Sequence, residues 1–110
     1  MASPILLQTS RGAYRLSLAE ESTSNAGPWT LTLAAEHAGG LEKFAFRCRI
    51  AAALVEQSAV ADPGAACAKL AGWLQGQFEQ VREAALKSIR SEHRLAEIEL
   101  DEAHPGPFNS

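Results

Sequence analysis

The stretch 67-CAKLAGWLQGQFEQ-80 decides how the second half of the chain folds. Its apolar residues recur at intervals of three and four, which is the period of an amphipathic helix. The same stretch contains Gly72 and Gly76, and each glycine costs a helix about 1 kcal/mol relative to alanine. A continuous helix through this stretch therefore needs a reason to keep both glycines.

Working outward from this stretch, the periodicity predicts one long helix over residues 63–91. Asp62 supplies an N-cap acceptor, and Pro63 suits the first helical position because no N–H is needed there. The apolar positions fill one stripe roughly 100° wide, as a helix packed on a sheet requires. Its members are Cys67, Leu70, Ala71, Leu74, Phe78, Val81, Ala85 and Ile89.

Both glycines fall on the side of this helix opposite the apolar stripe. Ala65 and Ala68 fall there too, so this side consists of small residues and lets another backbone approach closely. Three interpretations are open: the chain's own segment 51–61 packs there, a second copy packs there in a symmetric dimer, or the glycines contact neither. Leu86 lies on the charged side of the predicted helix, which adds to the case for a dimer contact.

Three segments of the first half alternate apolar and polar residues with period two, which predicts strands with one buried face. They are 14-YRLSLAEE-21, 29-WTLTLAAE-36 and 42-EKFAFRCRI-50. Turn-rich connections join them, namely 22-STSNAGP-28 and 37-HAGG-40. The sequence therefore predicts an antiparallel meander, to which 4-PILLQTS-10 adds a fourth strand.

Together the two halves predict an α+β domain over residues 1–103. A three- to four-stranded antiparallel meander has one face covered by the long C-terminal helix. Residues 51–61 suit either a prolonged third strand or a short helix before the long one, and their alanines favour the short helix. Residues 94–101 suit either an edge strand or a continuation of the long helix. Residues 104–110, rich in Pro and Gly, are predicted to be a flexible tail. The predicted core is Leu16, Leu18, Trp29, Leu31, Leu33, Phe44, Phe46, Ile50, Leu70, Leu74, Phe78, Val81 and Ile89.

Composition narrows the class of protein. With 46% apolar and 21% charged residues among 110, the chain is typical of one globular domain. No run approaches the roughly 20 apolar residues that cross a bilayer, and the N-terminus lacks the features of a leader peptide, so the expected compartment is the cytoplasm. The net charge of −3 comes from residues 62–110, which hold five basic and eight acidic residues. Such an acidic balance is not typical of a nucleic-acid binder.

The sequence contains no motif typical of metal or nucleophilic chemistry. Cys48 and Cys67 are too few and too far apart for a disulfide framework or a zinc site, and both are predicted to be buried thiols. His37, His93 and His104 lack the spacing of metal ligands. We therefore expect no cofactor and no metal, and the sequence favours a protein that is not an enzyme.

Four basic residues alternate to the outer face of the predicted sheet, away from the helix: Arg15, Lys43, Arg47 and Arg49. A basic sheet face can follow the phosphates of a single-stranded nucleic acid, but here the aromatic residues needed for base stacking alternate inward. The alternatives are a solvated face whose charges prevent aggregation and a docking face for the acidic segment 97–102 of a second copy.

The sequence favours a small, non-enzymatic, cytoplasmic protein-interaction module that forms a homodimer. The candidate partner interface is the small-residue side of the long helix with Leu86. The alternative function is single-stranded nucleic-acid binding through the basic outer face of the sheet.

Overall fold

The structure, a computed structural model, describes residues 4–23, 27–58, 60 and 62–108. Four strands form an antiparallel meander, in which each strand pairs with the next along the chain. They are β1 (Ile5–Thr9), β2 (Gly12–Ser22), β3 (Trp29–His37) and β4 (Lys43–Ile50). Gly40 in the β3–β4 turn has a φ of 77°, which explains why this turn needs glycine.

A fifth strand, β5 (Ala96–Leu100), corrects the predicted sheet. It pairs in parallel with β4, so the sheet is five-stranded and mixed, in the order β1-β2-β3-β4-β5. The helices between β4 and β5 form the crossover that a parallel pair requires. The α+β class is confirmed, and residues 94–101 contain a strand rather than a helical continuation. Alternation predicts such a strand but says nothing about its partner or direction.

The predicted single helix over residues 63–91 is wrong. After the short helix α1 (Ala52–Gln57), the chain forms α2 (Pro63–Gln75) and a separate α3 (Phe78–Lys87), which continues into a π-helical turn (Ser88–Glu92). The helix begins as predicted, because the Ala65 N–H donates to the Asp62 carboxylate at 2.8 Å.

The break between α2 and α3 lies at Gly76 and Gln77. The Gly76 N–H donates to the Trp73 carbonyl at 3.2 Å, and the Gln77 N–H donates to the Leu74 carbonyl at 3.0 Å. These bonds tighten the last turn of α2 in the manner of a 3₁₀ helix, which is a common way for a helix to end. Gly76 is therefore a C-cap residue, and one of the two glycines needs no partner to explain it.

The core lies between the inner face of the sheet and the helices. Nine of the predicted core residues are buried, and three others, Leu18, Trp29 and Val81, are partly buried against them. The prediction that Ile89 belongs to the core is wrong. Ile89 is 38% exposed, because it lies in the π-helical turn rather than on a continuous helix. The alternation and the helical period thus identify the core wherever the elements are regular.

The chain beyond β5 packs against the helices. Gly106–Phe108 forms a 3₁₀ turn, and Phe108, within the segment predicted to be a flexible tail, is only 1% exposed. The Ser58 hydroxyl donates to the Phe108 carbonyl at 3.0 Å. The packed region therefore extends through residue 108, and residues 109–110 lie outside the described part of the chain. No helix in the described ranges is long and apolar enough to cross a membrane.

Candidate functional site

The small-residue surface of α2, defined as Ala65, Ala68, Gly72 and Gly76, is open. Ala68 and both glycines are exposed, and a Cβ added at Gly72 would meet no described atom within 4 Å. The described residues of segment 51–61, namely 51–58 and 60, therefore do not fill this surface at Gly72, and for them that interpretation is wrong. The physical reason is that α1 lies near the C-terminal turn, to which Ser58 bonds.

Leu86 does not extend the small-residue surface. It is partly buried and packs against the core, although the single predicted helix assigned it to the charged side. Because α3 is a separate helix, its orientation does not follow from the helical wheel of α2. The surface available to a second copy is thus confined to α2.

The outer face of the sheet carries the four predicted basic residues, but it is not basic as a whole. Four acidic residues share it, namely Glu20, Glu36, Glu97 and Glu99. Arg15 lies 3.8 Å from the carboxylate of Glu36, and Arg47 lies 3.5 Å from that of Glu97. The formal charges therefore cancel, largely because β5 brings its carboxylates beside the arginines of β4.

A polar cluster at one end of the sheet joins the β3–β4 turn to α3. Arg82 donates from Nε and Nη2 to the two carboxylate oxygens of Glu42, and the Nη2 bond measures 2.8 Å. The Tyr14 hydroxyl donates to Glu42 Oε1 at 2.6 Å. The hydrogen bond from Arg82 is the main cause that lowers the pKa of Glu42 to about 2. Burial is the main cause that raises the pKa of Tyr14.

These pKa values make the polar cluster unsuited to acid–base catalysis. A carboxylate with a pKa of about 2 is a weak base, and a buried phenol with a raised pKa stays protonated, whereas a general acid or base works best near the ambient pH. The bond to Glu42 also raises the pKa of Arg82. The cluster therefore serves to tie the β3–β4 turn to α3.

His37, beside this cluster, has both ring nitrogens occupied by the backbone. The Gly39 N–H donates to Nδ1 at 2.9 Å, so Nε2 carries the proton and donates to the Arg11 carbonyl, also at 2.9 Å. A histidine in this arrangement holds two turns together and has no free nitrogen with which to accept a substrate proton. This geometry favours a structural role for His37.

The two cysteines are buried thiols. Cys48 is 0% and Cys67 is 5% exposed, and burial raises the pKa of Cys48 to about 12 and also raises the pKa of Cys67. Both therefore stay protonated and are poor nucleophiles. Within the ranges that the structure describes, no group of three or more His, Cys, Asp and Glu side chains is arranged to hold a metal ion.

An apolar groove lies at the β5 edge of the sheet, between β5 and the helices. We call it the edge groove; its volume is about 180 Å³. The lining residues are Phe46, Trp73, Gln80, Val81, Ala84, Ala96, Glu97 and Ile98. It exists because the inner face of β5 is only partly covered by helices: Ala96 and Ile98 remain half-buried, whereas Leu100 is 3% exposed. The sequence missed this groove because the partner of β5 could not be predicted.

The two edges of the sheet differ in how their backbone groups are paired. At β1, the Gln75 side-chain amide accepts from the Gln8 N–H at 3.2 Å and donates to the Gln8 carbonyl. At β5, the Leu100 carbonyl accepts a hydrogen bond from the Ala51 N–H, so the backbone groups of Leu100 point toward β4. Backbone groups alternate along a strand, so those of Glu97 and Glu99 point away from β4. No described strand lies beyond them.

No family model matches the chain, and no curated protein or solved structure matches it either. Inference about function therefore rests on the arrangement of the residues themselves. The features that remain as candidates are the edge groove, the small-residue surface of α2 and the outer face of the sheet.

Proposed function

We propose that the protein is a non-enzymatic protein-interaction module that binds a partner protein in the edge groove. The observation that carries this proposal is an apolar groove directly beside a strand edge whose backbone groups are unpaired in the described chain. A partner can use both features together, because backbone bonds supply affinity and a side-chain pocket supplies specificity.

The size of the groove favours protein side chains over a cofactor. Its volume of about 180 Å³ is close to the roughly 150 Å³ of an apolar cavity that holds one benzene molecule. Pockets for drug-sized molecules begin at roughly 300 Å³. One or two apolar side chains therefore fit the edge groove.

The test fills the groove without disturbing the fold. Ala84 is exposed on α3 and lines the groove, so Ala84→Arg blocks the groove with a residue that favours helix. Gln57→Arg is the matched control, because Gln57 is an exposed residue of α1 that lies outside both the groove and the small-residue surface, and the substitution adds the same charge. A partner captured from a lysate of the source organism is identified and purified, and its affinity for each variant is measured by calorimetry.

We expect the partner to bind the wild type and Gln57→Arg alike, and to bind Ala84→Arg at least tenfold more weakly. Unchanged melting temperatures confirm that both variants are folded. Equal affinity of the partner for Ala84→Arg and the wild type contradicts the proposal. The proposal is also contradicted if wild-type protein and Ala84→Arg capture the same set of proteins from the lysate.

A homodimer through the small-residue surface of α2 is the second candidate. The favouring observation is that Gly72 faces open space, so the backbone of a second copy can approach it. Gly72→Leu with Gly76→Leu tests this, because a Cβ added at Gly76 would lie 3.9 Å from the Trp73 carbonyl oxygen, its nearest neighbour among the described residues. This candidate predicts that the wild type sediments as a dimer and the double variant as a folded monomer. A monomeric wild type at cellular concentrations contradicts the dimer.

Nucleic-acid binding by the outer face is the function we favour least. The four acidic residues on that face offset its four basic ones, and phosphate recognition depends on an excess of positive charge. The discriminating measurement is binding of single-stranded DNA at low salt: salt-sensitive binding that Arg47→Glu abolishes supports this function over the other two.

A further inference from the structure

We infer that the occupant of the edge groove is an extended peptide segment that adds to β5 as a sixth strand, with basic side chains on one face and apolar side chains on the other. This inference rests on the proposed function and names the chemistry of its partner. Three independent features of β5 support it: its backbone, its inner face and its outer face.

The backbone of β5 offers a short run of free groups. The backbone groups of Glu97 and Glu99 point away from β4. The run ends at Asp101, whose N–H already donates to the His104 carbonyl at 3.2 Å, while the His104 N–H donates back at 3.1 Å. The partner segment therefore has about five residues in contact, which corresponds to a length of roughly 17 Å.

The inner face of β5 requires apolar side chains from the partner. Residues directly opposite each other on paired strands point to the same face. Partner residues opposite Ala96 and Ile98 therefore point into the edge groove, toward Val81 and Ala84 of α3. Valine, isoleucine and phenylalanine combine strong strand preference with a size that the groove can accept.

The outer face of β5 requires basic side chains from the partner. Partner residues opposite Glu97 and Glu99 lie about 5 Å from them, whereas the arginines of β4 lie one strand further away. The Glu99 carboxylate has no basic group within 4.0 Å among the described residues, and Glu97 has only Arg47, at 3.5 Å. An acidic partner strand would meet like charges, so the edge selects a partner with Lys or Arg at alternate positions.

The same alternation occurs inside the molecule. On its other side β5 pairs with β4, in which Arg47 and Arg49 lie opposite Glu97 and Glu99, while Phe46 and Cys48 point inward. The proposed partner strand repeats this pattern on the free side of β5. An acidic edge strand with basic strands on both sides gives each carboxylate two cationic neighbours.

The experiment uses the full chain and defined peptides. The probe is acetyl-Gly-Arg-Val-Arg-Phe-Arg-Gly-amide, which alternates basic and apolar residues. One control has Glu in place of each Arg, and a second has the same composition without alternation, acetyl-Gly-Arg-Arg-Arg-Val-Phe-Gly-amide. Binding is measured by NMR titration of the ¹⁵N-labelled protein, which also reports the amides that shift.

We expect the alternating basic peptide to bind at least tenfold more tightly than either control, with the largest shifts at the amides of residues 95–99. Ala84→Arg should abolish this binding and Gln57→Arg should leave it unchanged. Glu97→Lys with Glu99→Lys should reverse the preference, so that the Glu peptide binds better than the Arg peptide.

Equal binding of the two basic peptides, shifts centred elsewhere, or no binding at millimolar peptide and low salt overturns the inference. Failure of this inference can be distinguished from failure of the proposed function. If the peptide fails but a captured partner still depends on Ala84, the interaction module stands and the strand chemistry is wrong. If neither the peptide nor any partner depends on Ala84, both fall.

Discussion

Individual side chains at the turns hold the elements of this protein together. Glu42 is the clearest case, because its carboxylate bonds to Arg82 of α3 and to the Tyr14 hydroxyl of β2. The glycines differ among themselves: Gly40 has a φ of 77°, whereas Gly72 lies in a helix with open space around it. The alternation predicted which residues face inward, but it could not reveal the Glu42–Arg82 pair, because the two residues are forty positions apart and meet only after the helices pack.

Stability should depend on pH through Glu42. Its pKa in the folded protein is about 2, below the ordinary 4.5, so folding favours the ionised form. The resulting stabilisation is present above about pH 4.5 and is lost as the pH falls toward 2. We expect Glu42→Gln to lower the free energy of unfolding by roughly 1–2 kcal/mol at pH 7 and by much less at pH 3, measured by urea denaturation.

The control for this prediction is Glu56→Gln on α1, where the carboxylate is exposed. Its effect should stay within about 0.5 kcal/mol at both pH values. A Glu42→Gln effect that is as large at pH 3 as at pH 7 would show that the carboxylate charge is not its cause.

Alanine should have opposite effects at Gly72 and Gly40. A Cβ meets nothing within 4 Å at either position, so only the backbone conformation differs. Gly72→Ala should raise the free energy of unfolding by about 0.5–1 kcal/mol, and Gly40→Ala should lower it by about 1 kcal/mol. Thermal denaturation measures both. Destabilisation by Gly72→Ala would indicate a neighbouring backbone at Gly72, such as that of a second copy.

At the scale of elements, local pattern and tertiary packing contribute different information. The start of α2 was predictable, since Asp62 and Pro63 are a local signal. The end of α2 was not predictable, because the helical period of apolar residues continues through Gly76. One glycine costs a helix only about 1 kcal/mol, and packing can offset a cost of that size, so Gly76 alone does not indicate a helix end. The pairing of β5 with β4 was equally hidden, as residues some fifty positions apart form it. The edge groove depends on the end of α2 and on the pairing of β5 with β4, so it could not be predicted from the sequence.

Phe78 and Ile89 should separate the broken helix from a continuous one. Phe78 is 6% exposed and lies 4.6 Å from Tyr14 between ring centroids, whereas Ile89 is 38% exposed. Phe78→Ala should therefore cost about 3–5 kcal/mol, and Ile89→Ala less than about 1 kcal/mol. Equal losses in chemical denaturation would mean that residues 78–89 form one buried helical face.

At the scale of the whole molecule, the C-terminal turn closes the layer of helices. Phe108 is 1% exposed, and Gly106 approaches Leu100 and Trp73 so closely that a Cβ there would lie 3.0 Å from Leu100 Cδ2. The turn thus connects β5 to α2 and supports one wall of the edge groove. Composition alone predicted a loose tail. That prediction failed because Pro and Gly are frequent in tight, packed turns as well as in flexible tails.

Phe108→Ala should destabilise the whole domain. Loss of a buried phenylalanine costs about 3–5 kcal/mol, and unfolding should remain a single transition because the turn packs on the common core. Differential scanning calorimetry checks both points. A local loss of order at residues 104–108 with an unchanged melting temperature would show that the turn is peripheral.

The Gln75 amide at β1 has a consequence for how many molecules can join through their sheets. Open-ended polymerisation by strand pairing requires a free edge strand at each end of the sheet, so that every molecule can pair with two others. Here Pro4 lacks an N–H and Gln8 is already satisfied by Gln75, so Leu6 is the one outward-facing position of β1, among the described residues, that keeps both backbone groups free. If a strand adds at β5 as proposed, the β1 edge therefore offers little backbone for a further addition, and growth into fibrils by strand pairing is disfavoured.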